Sequence, residues 1–404
     1  MSSNQIAFEY FNRSTDTVDV WLSVAPGTNN VNFSGDIQPI SIQDHEFLGS
    51  ICYFQVPSRQ RLKYTSAYSP VKNHELTDEE RNYFLRNTAL IPVNKDTRKA
   101  AKTIIKHVDS KEDKDKVFSI FNYIRKNYKY SAAIKQRGFE YAMEDKKGDC
   151  GELSAIIASY CRSIDIPCRM MIGACRGKSN HHVWNEAYLP EEGWIPLDVS
   201  LAMYTFFKHP LRDLGAGAKW GAFINKKRYF GNIESGRVVY SIDPERYLSP
   251  IYIDSEPPVN DMTFNVAGKD LSWGYESLAG CAPYMQPIYP KLNKSFKSIK
   301  NKDVLGKFET YSSSVIDKFS YKTKMNSLSI GAVFVYISIF ISLFNIETSV
   351  LFDLLLGSGT LIAFGIFGFL TILRREFNLP IFILSILSLL SAIGFIHDMI
   401  IYLA

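Results

Sequence analysis

From Met325 onward the chain contains no lysine, and formal charge is confined to Glu347, Asp353, Arg374, Arg375, Glu376 and Asp398. Between these charges run three uncharged stretches, 325–346, 354–373 and 378–396. Each is close to the roughly 20 residues that a helix needs to cross a bilayer. Three helices that are apolar all round cannot be covered by a soluble core built from residues 1–324, so three transmembrane helices are expected.

The flanking charges orient them. Residues 290–324 hold nine lysines against Asp303, Glu309 and Asp317, a local net of +6 (nine minus three). The loop with Glu347 and Asp353 has no basic residue, whereas the next carries Arg374 and Arg375. By the positive-inside bias this is a multi-pass protein of the cell membrane. Its large N-terminal part and the Arg374 loop face the cytoplasm, and the first loop and the C-terminus lie outside. The opening "MSSNQIAFEYFNRSTD" reads as no signal peptide, lacking a basic n-region and a continuous apolar h-region. Leu292, Phe296, Ile299, Leu305, Phe308 and Phe319 interleave with the lysines. Such a segment lies on an anionic membrane or forms a solvated basic linker. Membrane lipid is therefore an expected partner, and nucleic acid is not, because the basic residues adjoin the anchor. The membrane region also leaves room for partner proteins or a homo-oligomer. Asp353, His397 and Asp398 read as bilayer-edge anchors.

The rest of the chain divides by pattern. Residues 1–75 alternate, as in Val18, Val20, Leu22 and Val24 and in Cys52, Phe54 and Val56, and read as a small β-sandwich domain. Thr77 and Glu80 form a capping box before Tyr83, Phe84 and Leu85. A second helix is expected over 97–107, and a third from the stripe Val117, Ile120, Phe121 and Ile124. The expected domains are 1–75, 76–245, a basic juxtamembrane connector 246–324, and the membrane region 325–404.

Six cysteines stand at 52, 150, 161, 168, 175 and 281. In a cytoplasmic domain they are expected as free thiols. Cys161, Cys168, Cys175, His181 and His182 cluster without C-x2-C or H-x3-H spacing, so no metal site and no cofactor are expected. Cys150 differs from the rest. In "KKGDCGELSAI" Asp149 can cap a helix and Glu152 falls at its third position, which puts Cys150 first in the helix. There the unsatisfied N–H groups and the positive dipole end favour a thiolate. Gly148 and Gly151 leave room beside the sulfur, and Leu153, Ile156, Ile157, Tyr160 and Cys161 form the buried stripe.

Further on, "HHVWNEAYL" as a strand points His182, Trp184, Glu186 and Tyr188 to one face and His181 to the other. In the next strand, "GWIPLDVS", Asp198 has the parity of His182, and their midpoint is Pro190 in the turn "LPEEG". A hairpin folded there sets Asp198 opposite His182, the carboxylate–imidazole pair that a Cys-His-Asp nucleophile requires.

These segments, "KGDCGELS", "IPCRMMIGA", "HHVWNEAYL" and "GWIPLDVS", resemble in order and spacing the core motifs of the transglutaminase-like superfamily. The resemblance covers about residues 98–243. It implies an α+β fold with a transglutaminase-like, papain-like core and a triad of Cys150, His182 and Asp198, with Trp184 at the binding site. Asp165 and Val199 depart from the family pattern without touching that triad. The implied activity is a cysteine hydrolase acting on a polypeptide, a peptidase or isopeptidase working through a thioester, and the apolar C-terminal runs, which lie outside the resemblance, make it an expected membrane-anchored one. A transglutaminase-type acyltransferase forming amide crosslinks and a catalytically silent binding module are the alternatives. The Cys150 N–H is one expected oxyanion donor, and Tyr130, Tyr141 and Asn180 are candidates for the second.

Overall fold

The computed structural model describes residues 4–69, 75–106, 108, 112–132, 138–178, 181–203, 215–217, 219, 221–223, 225–254, 263–266, 269–312 and 314–374, with scattered positions in 383–401. It forms two compact units, Met1–Thr205 with Asn225–Tyr311, and Phe206–Ile224 with Ser312–Ala404.

In the first unit the alternating N-terminal residues become β1 (Asn4–Phe11), β2 (Val18–Val24), β3 (Thr28–Ser34), β4 (Ser41–Gln43), β5 (Ser50–Val56) and β6 (Arg61–Tyr68). Strands β1, β3 and β6 share one sheet and β2, β4 and β5 another. Alternation does its work in β6, where Leu62, Tyr64 and Ser66 are buried and Lys63 and Thr65 are not. Phe33 and Phe54, one from each sheet, meet edge to face at 5.1 Å.

Strand β2 breaks the alternation because both its faces are covered. Trp21 is 2% exposed, donates its Nε1–H to the Pro250 carbonyl at 3.1 Å, and lies 5.4 Å from the ring of Tyr252. The covering residues come from a stretch expected to be a connector. Residues 246–311 instead belong to the first unit. Ile288–Pro290 adds a strand beside β2, and Lys307–Ser312 extends the β1 sheet. Leu292, Phe296 and Phe308, expected on a membrane surface or in a linker, are buried in this core.

The helices follow their caps. Helix α1 (Asp78–Tyr83) opens on the expected Thr77–Glu80 box. Helix α2 (Lys95–Ile105) starts two residues before expectation because Asn94, with Thr97 at the third position, is the cap. Helix α3 (Asp113–Asn127) buries Val117, Ile120, Phe121 and Ile124. After α4 (Phe139–Asp145), helix α5 (Cys150–Arg162) is buried on every side from Glu152 onward. A stripe alone was expected there, but α2, α3 and α4 pack on it together with the sheet.

That sheet is antiparallel. Its members are Cys168–Ala174, His181–Leu189, Gly193–Leu197 and Val238–Ile242, whereas the two-residue strands 129–130 and 147–148 pair with each other in parallel and 177–178 joins the β1 sheet. Their spatial order is Gly193–Leu197, His181–Leu189, Cys168–Ala174, Val238–Ile242. Asp243, fully buried, locks helix to sheet. Its Oδ2 accepts from Arg162 at 2.6 Å and Arg86 at 2.8 Å, and its Oδ1 from the Met170 N–H at 2.9 Å.

In the second unit two helices are long and apolar enough to cross a membrane, Val315–Leu343 and Val350–Leu373. They pack through reciprocal seats, Gly331 against Phe364 and Gly359 against Phe334. The first begins ten residues before Met325, capped by Ser314, so its opening turns carry Asp317 and Lys318. Arg374 ties the ends of the pair together, with Nη1 2.6 Å from Asp317 Oδ1 and from Ser320 Oγ. Asp353 accepts from the Thr348 hydroxyl at 2.7 Å in the first turn of the second helix. Among the described residues two spans, not three, are present. The third expected run, 378–396, and Asp398 lie largely outside those residues, where the described positions 383, 386, 390, 393 and 394 are helical.

Burial by itself would raise the Asp243 carboxyl, but Arg162 and Arg86 hold it below the ordinary carboxylate range. A depressed carboxyl stabilises fully above its unfolded value, near pH 4, and the stabilisation is lost as pH falls through the folded value. Asp243→Asn leaves the buried Arg162 guanidinium uncompensated, along with the partly exposed Arg86, and is expected to cost about 3–5 kcal/mol at pH 7. Thermal unfolding of the full chain in detergent from pH 7 to pH 2 checks this. The acid-dependent loss of stability below about pH 4 should be smaller in the variant than in the wild type.

Candidate active site

Cys150 is the first residue of α5, and the capping box is present. Asp149 Oδ1 accepts from the Gly151 N–H at 2.7 Å, and Glu152 Oε2 from the Asp149 N–H at 2.8 Å. The two glycines serve these contacts rather than the sulfur. A Cβ on Gly148 would stand 2.8 Å from Glu152 Cβ, and one on Gly151 would meet Asp149 Oδ1 at 3.2 Å.

The electrostatics of the thiol run against the dipole argument. Burial pushes the half-buried Cys150 thiol well above its ordinary value, and the Asp149 carboxylate pushes it further. A hydrogen bond from the Val183 N–H lowers it, and the Glu152 and Asp198 carboxylates raise it again. The capping box that starts the helix thus sets two negative charges beside the sulfur, which together with burial oppose the pull of the helix end. Burial and these carboxylates favour the thiol over the thiolate expected from its position.

The Val183 N–H that reaches Cys150 follows His182 directly, and Ser154 O on α5 accepts from Asn185 Nδ2 at 2.9 Å. Strand His181–Leu189 is thereby laid along the helix. His182 is 8% exposed, and its Nε2 lies 2.8 Å from Asp198 Oδ2. His181 points the other way, 4.6 Å from the ring of Phe308, and burial pushes it down to about 4. The parity assignment therefore selects the same imidazole as the geometry.

The register does not follow the sequence reading. Tyr188 pairs with Trp194 and Asn185 with Leu197, so the hairpin folds about residue 191 rather than Pro190. A shift of two residues preserves parity. Asp198 is therefore not directly opposite His182. It lies just past the strand as the cap of a short helix, Val199–Ala202, and reaches His182 diagonally.

Asp198 is 1% exposed, accepts from three hydrogen-bond donors and pairs with a guanidinium. Oδ2 takes His182 Nε2 at 2.8 Å, Oδ1 takes Ser200 Oγ at 2.9 Å and the Leu201 N–H at 3.0 Å, and Arg237 Nη1 stands 2.7 Å from Oδ2 as an ion pair. Burial would raise this carboxyl, yet His182 and Arg237 hold it far below the carboxylate range. Trp184, expected at a binding surface, is 1% exposed and so not available to a ligand. Its indole lies nearly parallel to the His182 ring at 6.3 Å, in space that Gly173 leaves free: a Cβ there would be 3.1 Å from Trp184 Cη2 and 2.0 Å from Val238 O.

Residues 98–199 match the family model of the transglutaminase-like superfamily. This stretch is a transglutaminase-like domain. No curated protein matches the chain in sequence. Among solved structures, it is similar to a protein from Cytophaga hutchinsonii provisionally assigned as a cysteine protease. That match is 14% identical with a TM-score of 0.39, over 49% of this chain and 76% of the other. A provisionally assigned protease from Parabacteroides distasonis is 11% identical, with a TM-score of 0.25 over 47% and 43%. A TGase is 13% identical, with a TM-score of 0.21 over 41% and 44%.

The transglutaminase-like domain omits residues that the tertiary structure brings to the site. Arg237, which shares Asp198 with His182, was missed. Its signal was "ESGRVVYSI": two opposite charges three apart, entering an apolar strand where each needs the other. Tyr284 was missed without any signal; its hydroxyl would be 3.8 Å from a Cβ on Gly151. Of the candidate oxyanion donors, Tyr130 pairs with Gly148 and so borders the loop before Cys150, Tyr141 sits on α4, and Asn180 lies outside the described residues. Among the described residues no cluster of three His, Cys, Asp or Glu side chains could hold a metal ion.

Because Asp149 raises the thiol, Asp149→Asn, which keeps a capping side chain, should lower it. Alkylation of Cys150 by iodoacetamide at pH 7 is expected to speed up about three- to tenfold. Mass spectrometric timing of Cys150 labelling, with the other five cysteines as internal references, measures it.

Proposed function

We propose that the protein is a membrane-anchored cysteine hydrolase that cleaves amide bonds in polypeptides through a Cys150–His182–Asp198 triad. The observation that carries this reading is the buried His182 Nε2–Asp198 Oδ2 bond at 2.8 Å on the strand whose next N–H meets Cys150. In this scheme His182 takes the proton of the neutral thiol as the sulfur attacks the carbonyl, and Asp198 orients the ring and stabilises the imidazolium that forms. The tetrahedral oxyanion is met by the Cys150 N–H at the start of α5. Its collapse expels the amine, which takes the proton from His182, and leaves a thioester. Water then attacks, His182 accepting its proton, and the free acid leaves with the thiol restored. The helices Val315–Leu343 and Val350–Leu373 hold the enzyme at a bilayer, and the lysine excess before them supports a cytoplasmic catalytic unit.

Full-length protein in lipid nanodiscs, incubated with a peptide library and read by mass spectrometry for new N-termini, tests the reaction. Cys150→Ala and His182→Ala are each expected to lower the rate by about 10³- to 10⁶-fold, and Asp198→Asn by somewhat less. His181→Ala should retain most activity. A primary amine added at millimolar concentration decides the chemistry. If the acyl group passes mainly to the amine, the crosslinking transferase replaces the hydrolase.

A further inference from the structure

Asp198 does not face His182 alone. Its Oδ2 also contacts Arg237 Nη1 at 2.7 Å, and Arg237 in turn holds Glu234 Oε2, with Nε at 2.8 Å and Nη2 at 2.5 Å. The Tyr229 hydroxyl donates to Glu234 Oε1. All three charged side chains are at most 4% exposed. The guanidinium lies 4.9 Å from the ring of Trp184, the indole that stacks along His182. A row of alternating charge, Glu234, Arg237, Asp198, thus ends on the imidazole.

The row carries a net of −1 (two carboxylates, one guanidinium), and its distribution matters. Glu234 draws Arg237 away from Asp198, leaving more negative charge to face His182. Arg237 does the opposite. The other ionisable groups that bear on this site are Cys150, with Asp149 and Glu152 beside it, from α5, Cys175 after the strand Cys168–Ala174, and Tyr229. None of these supplies a second cation to Asp198 among the described residues. We infer that Glu234 and Arg237 are positioning residues that act through Asp198, setting in opposite directions the charge that His182 feels and hence the pH at which the site works. This deepens the triad reading and rests on it, since it assigns the tuning of the proposed base.

A merely structural role predicts losses of one kind for both residues, whereas charge tuning predicts shifts of opposite sign. The test is the titration of His182 in full-length, histidine-labelled protein in nanodiscs, followed by NMR and assigned by the signal lost in His182→Ala. Arg237→Gln removes the cation that competes for Asp198, and the His182 midpoint should rise by about half to one pH unit. Glu234→Gln leaves Arg237 wholly to Asp198, and the midpoint should fall by a similar amount. Arg237→Lys keeps the charge and should stay near the wild type. The acid limb of the peptide-cleavage profile should move with each midpoint. Shifts of the same sign, or none, overturn the inference. If Arg237→Gln does not fold, Glu234→Gln and Arg237→Lys carry the test: a midpoint that fails to fall in the first, or falls or rises as far as a neutral substitution in the second, overturns it. The titration needs no turnover, so cleavage surviving in Cys150→Ala would sink the hydrolase reading while leaving this result standing.

Discussion

An ionised carboxylate removed from water costs several kcal/mol unless its oxygens are taken up by donors, and Asp198 lies 1% exposed within the first unit. Three hydrogen-bond donors meet it, His182, Ser200 and the Leu201 N–H, and Arg237 adds an ion pair, so that three separate stretches of the chain converge on it. That requirement explains much of the surrounding architecture. The strand Gly193–Leu197 must end where it does, so that Asp198 can turn out of the sheet and cap the next helix. The strand Val238–Ile242 must begin with Arg237 close by. Gly173 must have no side chain, because the Val238 carbonyl and Trp184 fill that space, the indole lying against both the imidazole and the guanidinium.

At the other end of the site the same physics pulls against the chemistry. Asp149 and Glu152 satisfy the N–H groups at the start of a buried helix, which needs such partners. The charges that do so also disfavour a thiolate at the next residue. Position at a helix end therefore settles where the sulfur points and not which protonation state it rests in. A cysteine in this setting depends on a neighbouring base more than one primed by a bare helix terminus would.

The lysine-rich stretch before the two long apolar helices shows how composition can mislead about architecture. Nine lysines among 35 residues read as a solvated or membrane-lying segment. The apolar residues between them, Leu292, Phe296 and Phe308, instead fill the core of the β unit while most of the lysines stay on its surface. Spacing of apolar residues tells that they must be covered, but a β extension and a lipid surface meet that need equally well. Only the partner strands, β1 and β2, distinguish the two, and they lie about 270 to 300 residues away in sequence (288 against 22, 307 against 11).

What the sequence by itself determined about this protein is what short-range rules govern. The D-x-x-E box placed Cys150 first in its helix, the period of two separated His182 from His181, and the stripe of Val117, Ile120, Phe121 and Ile124 marked the buried face of α3. Two of the three long apolar runs marked helices long and apolar enough to cross a membrane. Each of these follows from the geometry of a single helix or strand, so neighbouring residues suffice to read it. The tertiary structure alone decided the two-residue shift of the hairpin, the burial of Trp184, the folding of residues 246–311 onto the N-terminal strands, and the meeting of Arg237 with Asp198. A shift of two changes no residue's face, and a buried ion pair between positions 198 and 237 depends on which strands become neighbours. Neither leaves a mark on local pattern, because the energy that selects them comes from contacts between segments far apart in the chain.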